Sequence, residues 1–366
     1  MKRQPHLLHI LPGFGTGGIQ TVLCRVLNGL GRRYRHSILA LNGDLSSAER
    51  LDPSLDVDLS EGADGTDGFL DRRRFIRAAA PDLVMTSNFG TYDWVIAQAI
   101  APAAPHIHQE HGFGPEEAHG EITRRVWARR LTLPRIHRLV VPSRTLEDKA
   151  RTSWRLRPEK ILRIANGVDA ADLAVLETGP VDRAMLPAGR VIIITVAPLR
   201  PEKRIDRLIR AFASMPPNSD AALVIVGDGP ERPALEELAR TLGCTEDIHF
   251  AGFRLQPAQL LAHAHVYAIS SDTEQLPASV LEAMALAMPV VGTAVGDVPL
   301  MVADDNGPFI VGRDDEPALA RAMAELARNA GLREDLGRAN RERQLAEFDA
   351  GAMVDAYRQL YDRATG

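Results

Sequence analysis

The feature that most constrains this chain is a steady alternation of short Val/Ile/Leu-rich runs with helical segments. In the first half the strand-like runs are His6–Leu11, His36–Leu41, Asp82–Thr86, His106–Gln109, Arg138–Val141 and Lys160–Ile164. Helical patterns fill the gaps at Ile19–Leu30, Asp67–Ala79, Tyr92–Ile100, Glu121–Thr132 and Thr145–Ser153. The second half repeats the scheme, with runs at Arg190–Val196, Ala221–Val226, Ile248–Phe250, His265–Ile269, Pro289–Gly292 and Phe309–Val311. Its helices are expected at Ile205–Ala213, Arg232–Leu242, Pro257–Ala264, Ser279–Ala287 and Glu316–Asn329. Such alternation gives parallel sheets covered by helices on both faces. Two rounds of it in 366 residues predict two Rossmann-like, doubly wound α/β domains. The join is expected in the Pro/Gly/Ala-rich stretch Glu177–Gly189, giving domains 1–180 and 181–348. A last helix, Met353–Thr365, carries Met353, Val354, Tyr357, Leu360 and Tyr361 at three- and four-residue spacing. The second sheet already looks complete without it, so that stripe needs another surface.

Composition sets outer limits. With 45% hydrophobic and 25% charged residues, the chain is an ordinary globular protein rather than a disordered one. No apolar run approaches the ~18–20 residues that cross a bilayer. The apolar run His6–Pro12 is short and ends in a glycine loop, so no secretory leader is expected. Cys24 and Cys244 lie far apart with no Cys-x-x-Cys partner, against a disulfide framework or a cysteine zinc site, and a reducing cytoplasm is expected. Charge is uneven. Residues 1–180 carry +3 and residues 181–366 carry −8, while 121–163 hold 13 basic and 4 acidic residues. A basic patch on an acidic protein points to an anionic partner met by one face, or to a solvated helix face.

Ligands of open α/β sheets bind beyond the carboxyl ends of the strands, so the residues there carry the functional reading. The first strand runs into Gly13-Phe-Gly-Thr-Gly-Gly18 and a helix, the arrangement that lets backbone amides approach an anion. A nicotinamide-binding site would also need an acidic residue ending the second strand. That strand ends Ala40-Leu41-Asn42-Gly43, with Asp44 only afterwards. In the second half, Arg200 and Lys203 follow the first strand and suit a diphosphate. Further on, Ser270-Ser-Asp-Thr-Glu274-Gln-Leu-Pro-Ala278-Ser-Val-Leu-Glu282 leads from a strand into a helix. Glu274 sits on the loop and Glu282 about one turn into the helix. Paired carboxylates suit a polyhydroxy ligand, with backbone amides of Gln275, Leu276 and Ala278 beside them.

Glu274–Val291 closely resembles the Glu-seven-residues-Glu signature of retaining glycosyltransferases of family 4. Ile164-Ala-Asn-Gly-Val-Asp169, Val226-Gly-Asp-Gly-Pro230, Phe250-Ala-Gly-Phe253 and Val295-Gly-Asp297 resemble further segments of that family, in order along the chain. The resemblance implies a GT-B fold: two Rossmann-like domains facing across a cleft, with the C-terminal helix (349–366) crossing back to the first domain. It implies retaining transfer of a hexose from a UDP- or GDP-linked donor to a glycan or lipid-linked acceptor, in cell-surface polysaccharide or glycolipid synthesis. By the same resemblance Glu282 would bind the ribose, Glu274 the transferred sugar, and Lys203 the diphosphate. The main chain at Phe253–Arg254 would read the base, Gln275–Ala278 (with Pro277) would face the donor, and Gly17 and Gly18 would approach the diphosphate. His111 looks like the family's histidine beside the donor sugar. No cofactor and no metal are implied.

Three departures stand out. Pro198 occupies the place of the usual diphosphate arginine, and Arg200 is the obvious substitute. Ala287 stands where the signature helix normally ends in glycine, and Gln20 stands where Glu is common. The stretch 121–138 interleaves Val126, Trp127, Leu131 and Leu133 with arginines, as in helices that rest on anionic lipid, which would place the first domain peripherally on the inner membrane face. Two rival readings remain at this level: a nicotinamide-dependent oxidoreductase using Gly13–Gly18, and a GT-B sugar-nucleotide epimerase. A nucleic-acid binder lacks any matching motif.

Overall fold

The computed structural model describes residues 3–15, 17–62, 68–113, 115–117, 120–169, 173, 186–216, 219–254 and 256–366. The stretch 174–185, where most of the expected join falls, lies outside them, as does Asp67 at the start of the expected second helix. Two compact units result: residues 1–166 with 350–366, and residues 167–349.

The first unit is built on a seven-stranded sheet in the order β3-β2-β1-β4-β5-β6-β7. Its strands are β1 (His6–Leu11), β2 (Arg35–Ala40), β3 (Val57–Glu61), β4 (Leu83–Ser87), β5 (His106–Gln109), β6 (Arg138–Val141) and β7 (Ile161–Arg163). All pair in parallel. Helices α1 (Gly18–Leu30), α2 (Phe69–Ala79), α3 (Tyr92–Ile100), α4 (Thr123–Thr132) and α5 (Arg144–Thr152) make the crossovers. Leu7, Met85 and Ile107 face one core, and Leu8, Ile10, Val84 and Trp94 face the other, which is why these strands read as unbroken apolar runs. Strand β3 was not anticipated. It is an edge strand, mostly exposed, and its Val-Asp-Leu-Ser-Glu composition gives no apolar run.

The second unit has a six-stranded sheet in the order β10-β9-β8-β11-β12-β13. The strands are β8 (Val191–Val196), β9 (Ala221–Val226), β10 (Ile248–Gly252), β11 (Val266–Ile269), β12 (Val290–Thr293) and β13 (Ile310–Val311). Around it lie α6 (Ile205–Ala213), α7 (Arg232–Thr241), α8 (Ala258–Leu261), α9 (Ala278–Ala285), α10 (Val298–Met301), α11 (Glu316–Arg328) and α12 (Ala330–Glu347). The expected helix 257–264 shrinks to four residues, and the eighteen-residue α12 is an addition to the expected elements.

The last helix, α13 (Ala350–Thr365), returns to the first unit. Met353, Tyr357, Leu360 and Tyr361 enter its core beside Val22, Val26, Leu30 and Tyr34. Gly29 makes the approach of α1 possible, because a Cβ there would lie 2.7 Å from Val354. The Tyr34 hydroxyl donates to Asp362 at 2.6 Å, and Arg33 pairs with the same carboxylate at 2.7 Å. The stripe that the second sheet had no use for is therefore core of the first unit.

Candidate functional site

In the second unit, β8 and β11 are neighbours at which the strand order reverses, the position where doubly wound sheets bind ligands. The loops after these two strands are stitched together. Ser270 Oγ donates to the Lys203 carbonyl at 3.0 Å, and the Asp272 amide to the Glu202 carbonyl at 2.9 Å. Arg207, almost fully buried, donates to the Ser270 carbonyl and to Asp272, both at 2.7 Å. Across this seam Lys203 Nζ lies 2.6 Å from Glu274 Oε1, which also accepts from Ser271 Oγ at 2.7 Å. Both ions are largely enclosed, with 19% of the lysine side chain and 12% of the glutamate side chain exposed.

Backbone packing fixes the loop on which Glu274 and Gln275 stand. Gly296 has φ +53°, and a Cβ on it would sit 2.2 Å from the Glu274 carbonyl oxygen. The following amide, of Asp297, donates to the Gln275 carbonyl at 2.9 Å. Leu276 is buried, Pro277 precedes α9, and Ala278 opens it. Glu282, one turn in, is half-buried. Beneath, the Tyr267 hydroxyl donates to Ser279 Oγ at 2.7 Å. Burial first, then the fields of Glu274 and Glu282, push its pKa well above the tyrosine range.

The remaining donor-side candidates follow β8 and the edge strand β10 of the same sheet. Arg200 is exposed, and its guanidinium makes no hydrogen bond among the described residues. Pro198, beside it, is exposed too. Phe253 is exposed and Arg254 half-buried just after β10. The Gly227–Gly229 loop lies directly on Ala197–Leu199. A Cβ on Gly227 would come within 1.9 Å of the Ala197 oxygen, and one on Gly229 within 2.4 Å of that of Leu199. Ser271, Asp272, Arg207 and Tyr267 were not singled out beforehand. Serine and aspartate flanking a motif carry no signal of their own, and a buried arginine is indistinguishable by composition from a solvated one.

In the first unit, Gly17 precedes α1 and its carbonyl accepts from both the amide and the hydroxyl of Thr21, at 3.0 and 2.9 Å. Gly18 faces open space. Gly13 and Gly15 serve packing instead: Cβ atoms there would lie 2.4 Å from Asn42 and 1.9 Å from Asp44. Phe14 between them is fully buried. The side chains that follow β2 thus fill the space a dinucleotide would need beside these glycines, so the oxidoreductase reading finds no support. Gln20 Nε2 donates to the Gly13 carbonyl at 2.9 Å, a bond the more usual carboxylate could not make. His111 follows β5, its amide bonded to Asn88 Oδ1 at 2.8 Å. It borders a small cavity shared with Ile19, Ser87, Gln109 and Tyr357. Burial pushes its pKa down to about 4, so the ring is neutral at neutral pH.

The basic stretch is arranged unlike the sequence reading. Arg129 is wholly buried between Glu110 (3.2 Å) and Glu117 (3.3 Å), and Arg125 pairs with Glu116 (2.6 Å) and Glu117 (2.9 Å). Burial alone would raise the Glu110 pKa, but His108 and Arg129 outweigh it and hold the carboxyl below its usual range. Leu133 is core, whereas Trp127 and Leu131 are 55% and 59% exposed. Three of the nine excess positive charges of 121–163 are therefore offset by Glu110, Glu116 and Glu117, and the exposed face carries Trp127 and Leu131 beside the remaining arginines.

Comparison with known proteins agrees with this architecture. Residues 16–172 match the family model described as Glycosyltransferase Family 4, and residues 182–343 the one described as Glycosyl transferases group 1. HepE of Anabaena, solved in complex with UDP, superposes with a TM-score of 0.78 over 98% of this chain and 100% of its own, at 20% identity. The fold is GT-B. The chain belongs to glycosyltransferase family 4. Among curated relatives, the lipopolysaccharide core biosynthesis glycosyltransferase LpsE of Rhizobium meliloti is 32% identical over 49% of this chain and 53% of its own. The N-acetyl-alpha-D-glucosaminyl L-malate synthase of Bacillus anthracis is 29% identical over 46% of this chain and 45% of its own. The chain spans about half the length of these relatives. No helix among the described residues is long and apolar enough to cross a membrane.

Proposed function

We propose that this protein is a retaining hexosyltransferase. It moves a sugar from a UDP- or GDP-linked donor to a hydroxyl of a glycan or lipid-linked acceptor in cell-surface polysaccharide or glycolipid synthesis. The observation that carries this reading is the Lys203–Glu274 pair, 2.6 Å long, at the switch point of the second sheet, with Glu282 on the helix beyond. A cation for the diphosphate and two carboxylates for sugar and ribose hydroxyls then stand within one set of loops. UDP is the favoured nucleotide because HepE has been solved with UDP and with UDP-glucose. The polysaccharide role draws on the names of LpsE and LpsD, both of lipopolysaccharide core biosynthesis.

In this mechanism Lys203 and Arg200 stabilise the charge that develops on the leaving diphosphate, assisted by the Gly18 amide at the start of α1. Attack comes from the face the phosphate leaves, and that phosphate takes the acceptor proton, so no enzyme nucleophile and no metal is needed. Glu274 orients the sugar, Glu282 the ribose, and the main chain at Phe253–Arg254 the base. A neutral His111 fits a hydrogen-bonding role beside the sugar, because it adds no charge that would compete with Lys203.

Glu282→Ala should abolish turnover of nucleotide sugar while the protein stays folded; retained turnover refutes the assignment. A thermal-shift screen of nucleotide sugars identifies the donor, since a specific ligand stabilises by mass action. We also assign the exposed face of α4, with Trp127 and Leu131 among Arg124, Arg130 and Arg135, to docking on an anionic inner-membrane surface from the cytoplasmic side. Sedimentation with anionic liposomes at low and high salt tests this, and binding that ignores salt, or none at all, removes the idea.

A further inference from the structure

The amino-terminal edge of the first sheet, opposite the edge that bears Gly18 and His111, holds a cavity of about 480 Å³. It is walled by Pro102–Pro105, between α3 and β5, by Arg135–His137 ahead of β6, and by Lys160 just before β7. Four of its lining side chains are basic or ionisable to a cation, His106, Arg135, His137 and Lys160, and no carboxylate among the described residues lines it. The cations are held in place by backbone. Lys160 Nζ donates to the Ile136 carbonyl at 2.7 Å, and Arg135 donates to the Leu131 carbonyl at the end of α4. Each keeps further N–H donors for a ligand.

A second observation concerns the same wall. His106 lines the cavity and is only 3% exposed. Its Nε2 is hydrogen-bonded to Thr86 Oγ1 at 2.8 Å, whereas its buried Nδ1 has no partner. A buried ring nitrogen left unpaired is unfavourable unless a ligand atom satisfies it. Cations and an orphaned imidazole nitrogen in the lining of one cavity suit an anion with several oxygens. The apolar remainder of the wall, Pro102, Ala103, Ala104, Pro105 and Ile136, suits an organic body attached to it.

We propose that this cavity binds a phosphoryl group through Arg135, Lys160 and Nδ1 of His106. It lies at the opposite edge of the first sheet from Gly18 and His111, and the proposal stands whether or not the donor reading does. Binding has a consequence along β5. With Nδ1–H of His106 given to the anion, Nε2 must accept the Thr86 hydroxyl proton. The Thr86 oxygen then accepts from His108 Nδ1, also 2.8 Å away. One anion thereby fixes the tautomer of the buried His106. The source is either a soluble phosphate ester or the phosphate of a membrane lipid, because exposed Ile100 and Leu131 lie just before Pro102 and Arg135 in the chain.

The test uses the full chain with ¹⁵N-labelled histidine. Inorganic phosphate should shift the His106 and His108 ring nitrogens saturably. Arg135→Ala and Lys160→Ala should each weaken that binding by roughly tenfold, the loss of one charge-assisted contact. Their thermal midpoints, read alongside, separate lost binding from lost folding. A parallel arm uses phosphatidylcholine vesicles doped with phosphatidic acid. Vesicle binding that is lost in the double variant, without a response to free phosphate, supports the site with a lipid source. If phosphate and vesicles leave His106 unmoved, or the variants bind as the parent does, the proposal is overturned.

Discussion

Replacing Glu274 by glutamine should tighten the binding of UDP, although it should impair transfer of the sugar. Glu274 Oε1 sits 2.6 Å from Lys203 Nζ, and its side chain is 12% exposed, so the ammonium is already committed to a carboxylate. A diphosphate that reaches the same ammonium must share it with that carboxylate. With the anion on the far side of Nζ, about 6 Å from the carboxylate, an effective dielectric constant of about 40 gives a repulsion of about 1.4 kcal/mol per unit charge. That corresponds to about tenfold in affinity. The substituted amide would keep the shape of the carboxylate, and its oxygen could still accept from Ser271 Oγ, which lies 2.7 Å from Glu274 Oε1, so the loop has no reason to move. Lys203→Ala should weaken UDP by about 1.5–3 kcal/mol, the range for a hydrogen bond to a charged group. It should cost about 1 kcal/mol more on the Glu274→Gln background, where the ammonium is no longer shared with a carboxylate and its whole attraction for the diphosphate is lost. Titration calorimetry with UDP on the four proteins of this cycle, repeated at high salt, measures each quantity, and the gain should shrink as salt screens it. If Glu274→Gln weakens UDP, or the single effects add within about 0.5 kcal/mol, the shared-cation argument is wrong.

Other perturbations test the scaffold. Burial holds His36 at about 4, His106 at about 3 and His111 at about 4, against 6.5 in the unfolded chain. The unfolded chain therefore binds up to three more protons between about pH 6 and pH 4.5, so stability is full above pH 6.5 and falls as the pH drops, at up to about 4 kcal/mol per pH unit; equal denaturant midpoints at pH 7 and 5.5 would contradict this. Arg129→Ala strands Glu110 and Glu117 in the core and should cost about 3–5 kcal/mol in urea unfolding. Arg129→Lys should fail to restore it, since one ammonium cannot span both carboxylates. Ala287, exposed and at φ +54°, closes the signature helix in the left-handed conformation that only glycine adopts freely. Ala287→Gly should therefore stabilise the protein by about 0.5–1 kcal/mol, raising the thermal midpoint by about 1–4 °C; a lower midpoint would show that this strain is not felt.

What was legible in the sequence, and what was not, follows from which contacts periodicity can report. Strands such as β1 and β9 are buried along their whole length, so they stand out as apolar runs. Helix α12 does not, because two positions of its buried face are Asn340 and Gln344, which bond backbone groups at Ala303, Met288, Val168 and Phe348 instead of packing as apolar residues. The site divides in the same way. Lys203, Glu274 and Glu282 were readable from their places after strand ends, whereas Asp272 and Arg207 act through a contact between segments 65 residues apart, and Ser271, three residues before Glu274, is a serine with no signal of its own. Helix α4 is the sharpest case, since counting arginines treats each as solvated. Two of them, Arg125 and Arg129, turn inward because Glu110, Glu116 and Glu117 lie beneath, and the helix then shows Trp127 and Leu131 to solvent. Membrane docking can therefore not be argued from a bare count of the arginines in this stretch. It rests on the two exposed apolar side chains and the outward arginines. Trp127→Ser with Leu131→Ser is accordingly the informative variant: it removes apolar insertion without touching any buried charge pair. Liposome binding should fall at least tenfold in that variant, the loss expected from withdrawing two large apolar side chains worth about 1.5–3 kcal/mol each on full burial. Unchanged binding would return the helix to the role of a solvated wall.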